Sequence, residues 1–137
     1  MIQREGVNKP CVLLIEPIPA WVVDRAREEF DLIVLQHETE RSDEFTNRFE
    51  DIRGIAMPGF AKVDKNFMEL MPNLEIVACF GVGYDGADVE YALNNEIAVT
   101  NTPGVLTNCV ADLGMALILA TLRRVVSGDK YVRSGKW

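Results

Sequence analysis

Three glycines, separated by one residue and then by two, form the one segment whose spacing suggests ligand chemistry. Gly81, Gly83 and Gly86 make a G-x-G-x-x-G run that follows an apolar stretch and precedes a helical pattern. Such a run can cradle a dinucleotide pyrophosphate on backbone N–H groups at a helix N-terminus. Its place in the chain argues against that use. It follows the fourth strand-like run, not the first, and the next one ends at Thr100 and Asn101 with no acidic residue to hold a ribose. A smaller anion suits it better. Gly81, Val82 and Gly83 bring a bare backbone close to a ligand, and the helix expected near Asp88 adds its positive end, together a carboxylate cradle. A plain strand-to-helix turn that needs glycine for its dihedral angles explains the same residues equally well.

Other reactive side chains offer little. Cys11, Cys79 and Cys109 include no C-x-x-C pair, and each lies in an apolar stretch, so all three read as reduced core thiols. The single histidine, His37, lies in a polar run far from them in sequence, which disfavours a cysteine nucleophile, and no paired ligands suggest zinc. A net charge of −7 speaks against a nucleic-acid or membrane-surface partner. Met1 to Pro10 lacks an apolar signal core, and Leu113 to Leu122 is shorter than the ~20 residues that span a bilayer. A cytoplasmic protein is expected.

The elements that must hold the glycine loop follow from hydrophobic pattern. Apolar runs at 11–15, 31–35, 54–57, 74–79 and 97–100 read as buried strands. Between them, helices are expected over 21–30, 43–49, 65–71 (capped by Asp64) and 88–94, the last closed by a left-handed Asn95. A long helix follows over 105–124, and the polar tail 127–137 shows no clear element. Strand and helix alternate throughout. The expected fold is therefore α/β, a flavodoxin-like doubly wound sheet of five parallel strands followed by a long helix. Ligands in such sheets bind at the carboxyl ends of the strands.

Particular segments carry a family resemblance: 77–85 (Val77 to Asp85), 101–107 (Asn101 to Thr107), 110–113, 119–124 and the closing Arg133 to Trp137. Together they resemble the D-2-hydroxyacid dehydrogenases, and within them the glyoxylate/hydroxypyruvate reductase branch. The resemblance implies that residues 1–104 form a substrate-binding domain. Residues 105–137 would be an interdomain helix and the lead-in to an NAD(P)-binding Rossmann domain. It implies that the amides of Val82 and Gly83, with Gly81, hold the carboxylate of a small 2-keto acid. Met57, Pro58, Gly59 and Phe60 would line the same cleft. Thr107 would touch the nicotinamide side of NAD or NADP, although it could equally serve as a plain helix N-cap.

In the family the arginine, acidic residue and histidine of the reaction follow the point matching Trp137. The 137 residues by themselves are thus expected to be inactive and to bind no cofactor tightly. A phosphoglycerate dehydrogenase-like fragment and a non-catalytic flavodoxin-like module are the alternatives. A receiver domain is disfavoured because Met57, Pro58 and Gly59 stand where its phosphorylatable aspartate belongs. Finally, Leu113 to Leu122 is apolar around almost its whole circumference, so the 105–124 helix is expected either to fold back onto its own sheet or, the favoured outcome, to pair with the same helix of another copy in a homo-oligomer.

Overall fold

The computed structural model describes residues 9–136. They fall into two compact units, divided between Pro103 and Gly104.

The first unit carries β1 (Cys11–Ile15), α1 (Ala20–Glu29), β2 (Asp31–Leu35), α2 (Asp43–Thr46), β3 (Ile52–Pro58), α3 (Lys65–Met68), β4 (Ile76–Phe80), α4 (Val89–Asn94) and β5 (Ala98–Thr100). All strand pairings are parallel, in the order β2-β1-β3-β4-β5. This is the flavodoxin-like order expected from the alternation of runs. Continuous apolar runs make the strands because both sheet faces need apolar cover. Alternation within each run then sorts the faces. Leu13 and Ile15 join Ile33, Leu35, Ile55, Met57, Val77 and Cys79 in the larger core cluster, while Leu14 and Leu32 face the other side with Ile18. Val22, Val23 and Ala26 of α1 pack on that second cluster.

Short helices with good caps hang from the larger cluster. Ser42, Asp64 and Asp88 each accept a bond from the backbone N–H three residues on, at 3.3, 2.9 and 2.9 Å. Each cap satisfies one donor that a helix start leaves open. Phe45 is the one buried residue of α2 and meets Phe49 edge-on at 4.8 Å and Phe67 in a stack at 5.7 Å. Helices α2 and α3 are shorter than the pattern suggested, since Thr46 and Met68 end them. At the end of α4 the left-handed residue is Glu96, with φ 58°, not Asn95. The Asn95 side chain instead donates to the Tyr91 carbonyl at 2.8 Å.

One strand departs from the simple pattern. β3 begins at Ile52, and its pairing with β1 shifts by one residue, from Cys11↔Ile52 to Val12↔Gly54. The skipped residue, Arg53, pairs through its side chain with Glu75, and its carbonyl accepts from the Glu75 N–H at 2.9 Å. Nearby, Arg48 binds both Asp31 and Asp51. The hydrogen bond from Arg48 holds the Asp31 carboxyl below its usual range. A lowered carboxyl favours the folded state above its unfolded pKa, and that contribution disappears as pH falls through the folded one. Burial raises the thiols of Cys11 and Cys79, as core cysteines require.

The second unit holds α5 (Thr107–Leu122) and α6 (Val125–Arg133). Sequence pattern had suggested one helix running to Arg124 and a tail without structure. The chain instead breaks at Arg124, whose φ of 53° is left-handed, and then resumes as a helix. Neither helix buries a residue, so the Cys109 thiol, expected in a core, is exposed. Among the described residues no helix is long and apolar enough to cross a membrane.

Candidate substrate-binding cleft

A cleft of about 600 Å³ opens in the first unit, lined by Pro17, Pro58, Gly59, Phe60, Lys62, Phe80, Gly81, Gly83, Asp85 and Gly86. Each lining residue lies at or beyond the carboxyl end of β1, β3 or β4. The sheet order reverses between β1 and β3. The cleft therefore sits where open α/β sheets bind ligands, outside the strand ends at the switch point.

Two loops build it, and glycines let them touch. A Cβ on Gly59 would fall 2.2 Å from the Gly83 carbonyl oxygen, and one on Gly86 2.0 Å from that of Ala61. Both sites exclude any side chain. Backbone bonds complete the lacing. Gly86 N–H donates to Gly59 O at 3.3 Å, Val63 N–H to Gly86 O at 2.8 Å, and Asp88 N–H to Val63 O at 3.1 Å. The loop after β5 ties down the other side. Thr102 N–H donates to Gly81 O and the Asn101 amide to Val82 O, both at 2.8 Å.

The three glycines of the G-x-G-x-x-G run thus have separate uses. Gly81 takes φ 148°, which disfavours a side chain whatever the space. Gly86 is needed for close packing of backbone on backbone. Gly83 is different: it has no left-handed φ, and the nearest atom to an added Cβ is Asp85 Oδ2, at an ordinary 3.6 Å. The turn does not require glycine there. The N–H groups of Val82, Gly83, Tyr84 and Asp85 donate to no acceptor among the described residues. This is the character of an anion-accepting loop, with donors free beside an uncrowded Cα.

The same geometry does not fit a dinucleotide pyrophosphate. The loop follows β4 rather than the first strand of the sheet, and the helix behind it, α4, is only 6 residues long. Among the described residues there is also no grouping of three His, Cys, Asp or Glu that could hold a metal.

Of the residues singled out from sequence, Pro58, Gly59, Phe60, Gly81 and Gly83 line the cleft together. Val82 stands in the same loop, exposed, but is not a lining residue. Met57 is fully buried in the core and does not line it. Ile55 and Met57 point to one face because strand side chains alternate with a period of two, a signal the sequence already held. Pro17, Lys62, Phe80, Asp85 and Gly86 are lining residues that sequence reasoning missed. Thr107 is the first residue of α5. Leu106 is the N-cap and there is no side-chain cap bond, so the simple capping role is not seen.

Known proteins share the sequence pattern and the fold. Residues 12–127 match the family described as D-isomer specific 2-hydroxyacid dehydrogenase, catalytic domain. A glyoxylate reductase of Pyrococcus furiosus is 42% identical over 130 residues, covering 94% of this chain and 39% of the relative. A glyoxylate/hydroxypyruvate reductase A of Arabidopsis thaliana is 40% identical, over 92% of this chain and 40% of its own. Among solved structures, the NADPH-dependent glyoxylate/hydroxypyruvate reductase of Sinorhizobium meliloti, in complex with NADP and malonate, superposes with TM-score 0.78. It is 38% identical, over 94% of this chain and 39% of its own. A 2-hydroxyacid dehydrogenase of Ketogulonicigenium vulgare reaches TM-score 0.85 at 38% identity, over 96% of this chain and 41% of its own. The chain thus spans about two fifths of the length of these relatives.

Proposed function

The chain belongs to the D-isomer specific 2-hydroxyacid dehydrogenase family, and we propose that its first unit binds the substrate of an NAD(P)-dependent reductase of small 2-keto acids. Glyoxylate and hydroxypyruvate are the substrates, and D-2-hydroxy acids the products. One observation carries this reading. Gly83 is glycine where the turn does not demand it, in a loop whose amides are free, beside a cleft at the switch point of the sheet. A carboxylate placed there would accept from Val82 and Gly83. Relatives support the choice of substrate, being glyoxylate reductases by name, and one has been crystallised with malonate, itself a small carboxylate.

The intact enzyme uses NAD or NADP, which supplies the hydride. Gly81, Gly83 and Gly86 are not its pyrophosphate loop, since they follow β4 and lead into a helix of only 6 residues. Thr107 is assigned to the nicotinamide side. Residues up to 104 form the substrate domain and residues 105–137 the interdomain helix and lead-in. The protein works in the cytoplasm. The chain by itself has no cleft histidine and is expected neither to turn over nor to hold the cofactor tightly.

Isotope-labelled chain titrated with glyoxylate tests the reading. Amide shifts should concentrate at residues 58–60 and 81–85. Shifts absent there, or reproduced by equal sulfate, would return the loop to a plain turn.

A second copy is the partner we assign to α5. This helix of 16 residues buries none of them within its own unit. Soluble monomers rarely leave an apolar surface beyond a few hundred Å² uncovered. Pairing of α5 with the same helix of another copy gives a closed two-fold contact. Light scattering at micromolar concentration should report a dimer, and a clean monomer would rule the pairing out.

A further inference from the structure

We propose that Lys62 gives the cleft its charge selectivity, drawing in the carboxylate of a small keto acid and holding it beside the free amides of the 82–83 loop. The assignment rests on the reading of this cleft as a keto-acid site.

In a chain of net charge −7, a cation in the cleft wall raises the local concentration of small anions. Among the lining residues only Lys62 and Asp85 are charged; the others are Pro, Gly and Phe. Lys62 makes no ion pair among the described residues, so neither Asp85 nor any other described carboxylate neutralises it. Its backbone is not free to drift. The residue before it, Ala61, donates to Pro58 O at 3.0 Å and packs against Gly86. The residue after it, Val63, is bonded to Gly86 and Asp88. A fixed backbone with a flexible four-carbon stem lets the ammonium follow a ligand without moving the loop. Lys62 also borders a neighbouring cavity that contains Glu38, Arg41 and Asp64. No ion pair ties Lys62 to Glu38 or Asp64 there, so the ammonium stays available to the cleft.

The neighbouring amides fix direction, and Lys62 adds attraction over distance. Because it is exposed, its effect is modest and is screened by salt.

The test extends the glyoxylate titration of the labelled chain to variants and to two salt concentrations. Lys62→Met should weaken binding about fivefold at low salt, the size of a part-exposed charge contact. Lys62→Arg should keep it within about twofold because the charge remains. Asp85→Asn, which removes the opposing charge, should tighten binding. The salt dependence of the unmodified chain should largely vanish in Lys62→Met. Unchanged shifts at Phe45 and Val77 verify that each variant is folded. Equal affinity and equal salt dependence in Lys62→Met would overturn the assignment. So would a loss in both Lys62 variants with salt dependence kept, which would mark a packing role. An unmodified chain that binds no glyoxylate would instead overturn the reading of the cleft, and the assignment with it.

Discussion

Replacing Gly86 by alanine should destabilise the first unit by about 3 kcal/mol, the upper range for forcing a methyl group into filled space. The added Cβ would sit 2.0 Å from Ala61 O, 3.0 Å from Ala61 C and 3.1 Å from Gly59 O. These are backbone atoms, which cannot rotate aside as a flexible side chain can. Relief requires the two loops to separate. Separation breaks the bonds from Gly86 to Gly59 and from Val63 to Gly86. It also opens the bridge between Val63 and Ala87. Gly83→Ala is the matched comparison. Its Cβ meets only Asp85 Oδ2 at 3.6 Å, so stability should stay within about 0.5 kcal/mol while the new methyl stands beside the amides proposed to hold the ligand. Urea midpoints measure both, with glyoxylate binding as the second readout. A Gly86 variant as stable as the parent, or a Gly83 variant that loses stability but not binding, would reverse the roles given to these glycines.

That division of labour was invisible in sequence for a physical reason. G-x-G-x-x-G records spacing along the chain, whereas Gly86 is explained by Ala61, which precedes it by a whole strand and helix. Local pattern was enough for the sheet. Each apolar run became a strand, because a strand covered on both faces must be apolar throughout. It was less informative at edges. Arg53, at the start of β3, reads as polar and hence as loop, yet it sits in the strand as the residue skipped by the β1 pairing. Helix α6 was missed because Ser127, Gly128, Asp129 and Lys130 look like a loop. Its apolar residues, Val125, Val126, Tyr131 and Val132, bracket them in pairs. Arg124 in a left-handed conformation then divides what pattern alone joined.

The cleft was legible in part. The carboxyl ends of the strands point to its loops, and the family resemblance names the residues in those after β3 and β4. Lys62 and Asp85 were passed over because each lies further along its loop, and the loops double back. Pro17 joins them from the end of β1, a strand that the glycine motif does not touch. Met57 was included with its neighbours though its place in the alternation puts it in the core.

Phe45→Ala should cost about 4 kcal/mol, within the range for deleting a buried aromatic ring. Phe45 is completely buried, and it holds a helix that could not persist alone. Four residues make a single turn, well short of the length at which helices survive in water without packing. The Ser42 cap adds one bond at 3.3 Å, too little to replace the ring. Removing the ring also strips Phe67 of its stacked partner and Phe49 of its edge contact. Arg41 lies over both Phe45 and Phe67, at 5.8 and 5.5 Å from the ring centroids, and would lose one of its two faces. Phe67 belongs to α3, which the cleft loop enters directly after Val63 and Asp64. The loss should therefore reach the cleft as weaker glyoxylate binding, through a less firmly seated 58–63 loop. Phe45→Leu separates ring volume from aromatic contact. It should cost about 1.5 kcal/mol, keep α2 in place and leave binding near that of the parent. Urea denaturation gives the stabilities and the labelled titration the binding. A cost below about 1.5 kcal/mol for Phe45→Ala would mean that the cluster closes over the missing ring, and that α2 is held by something other than Phe45.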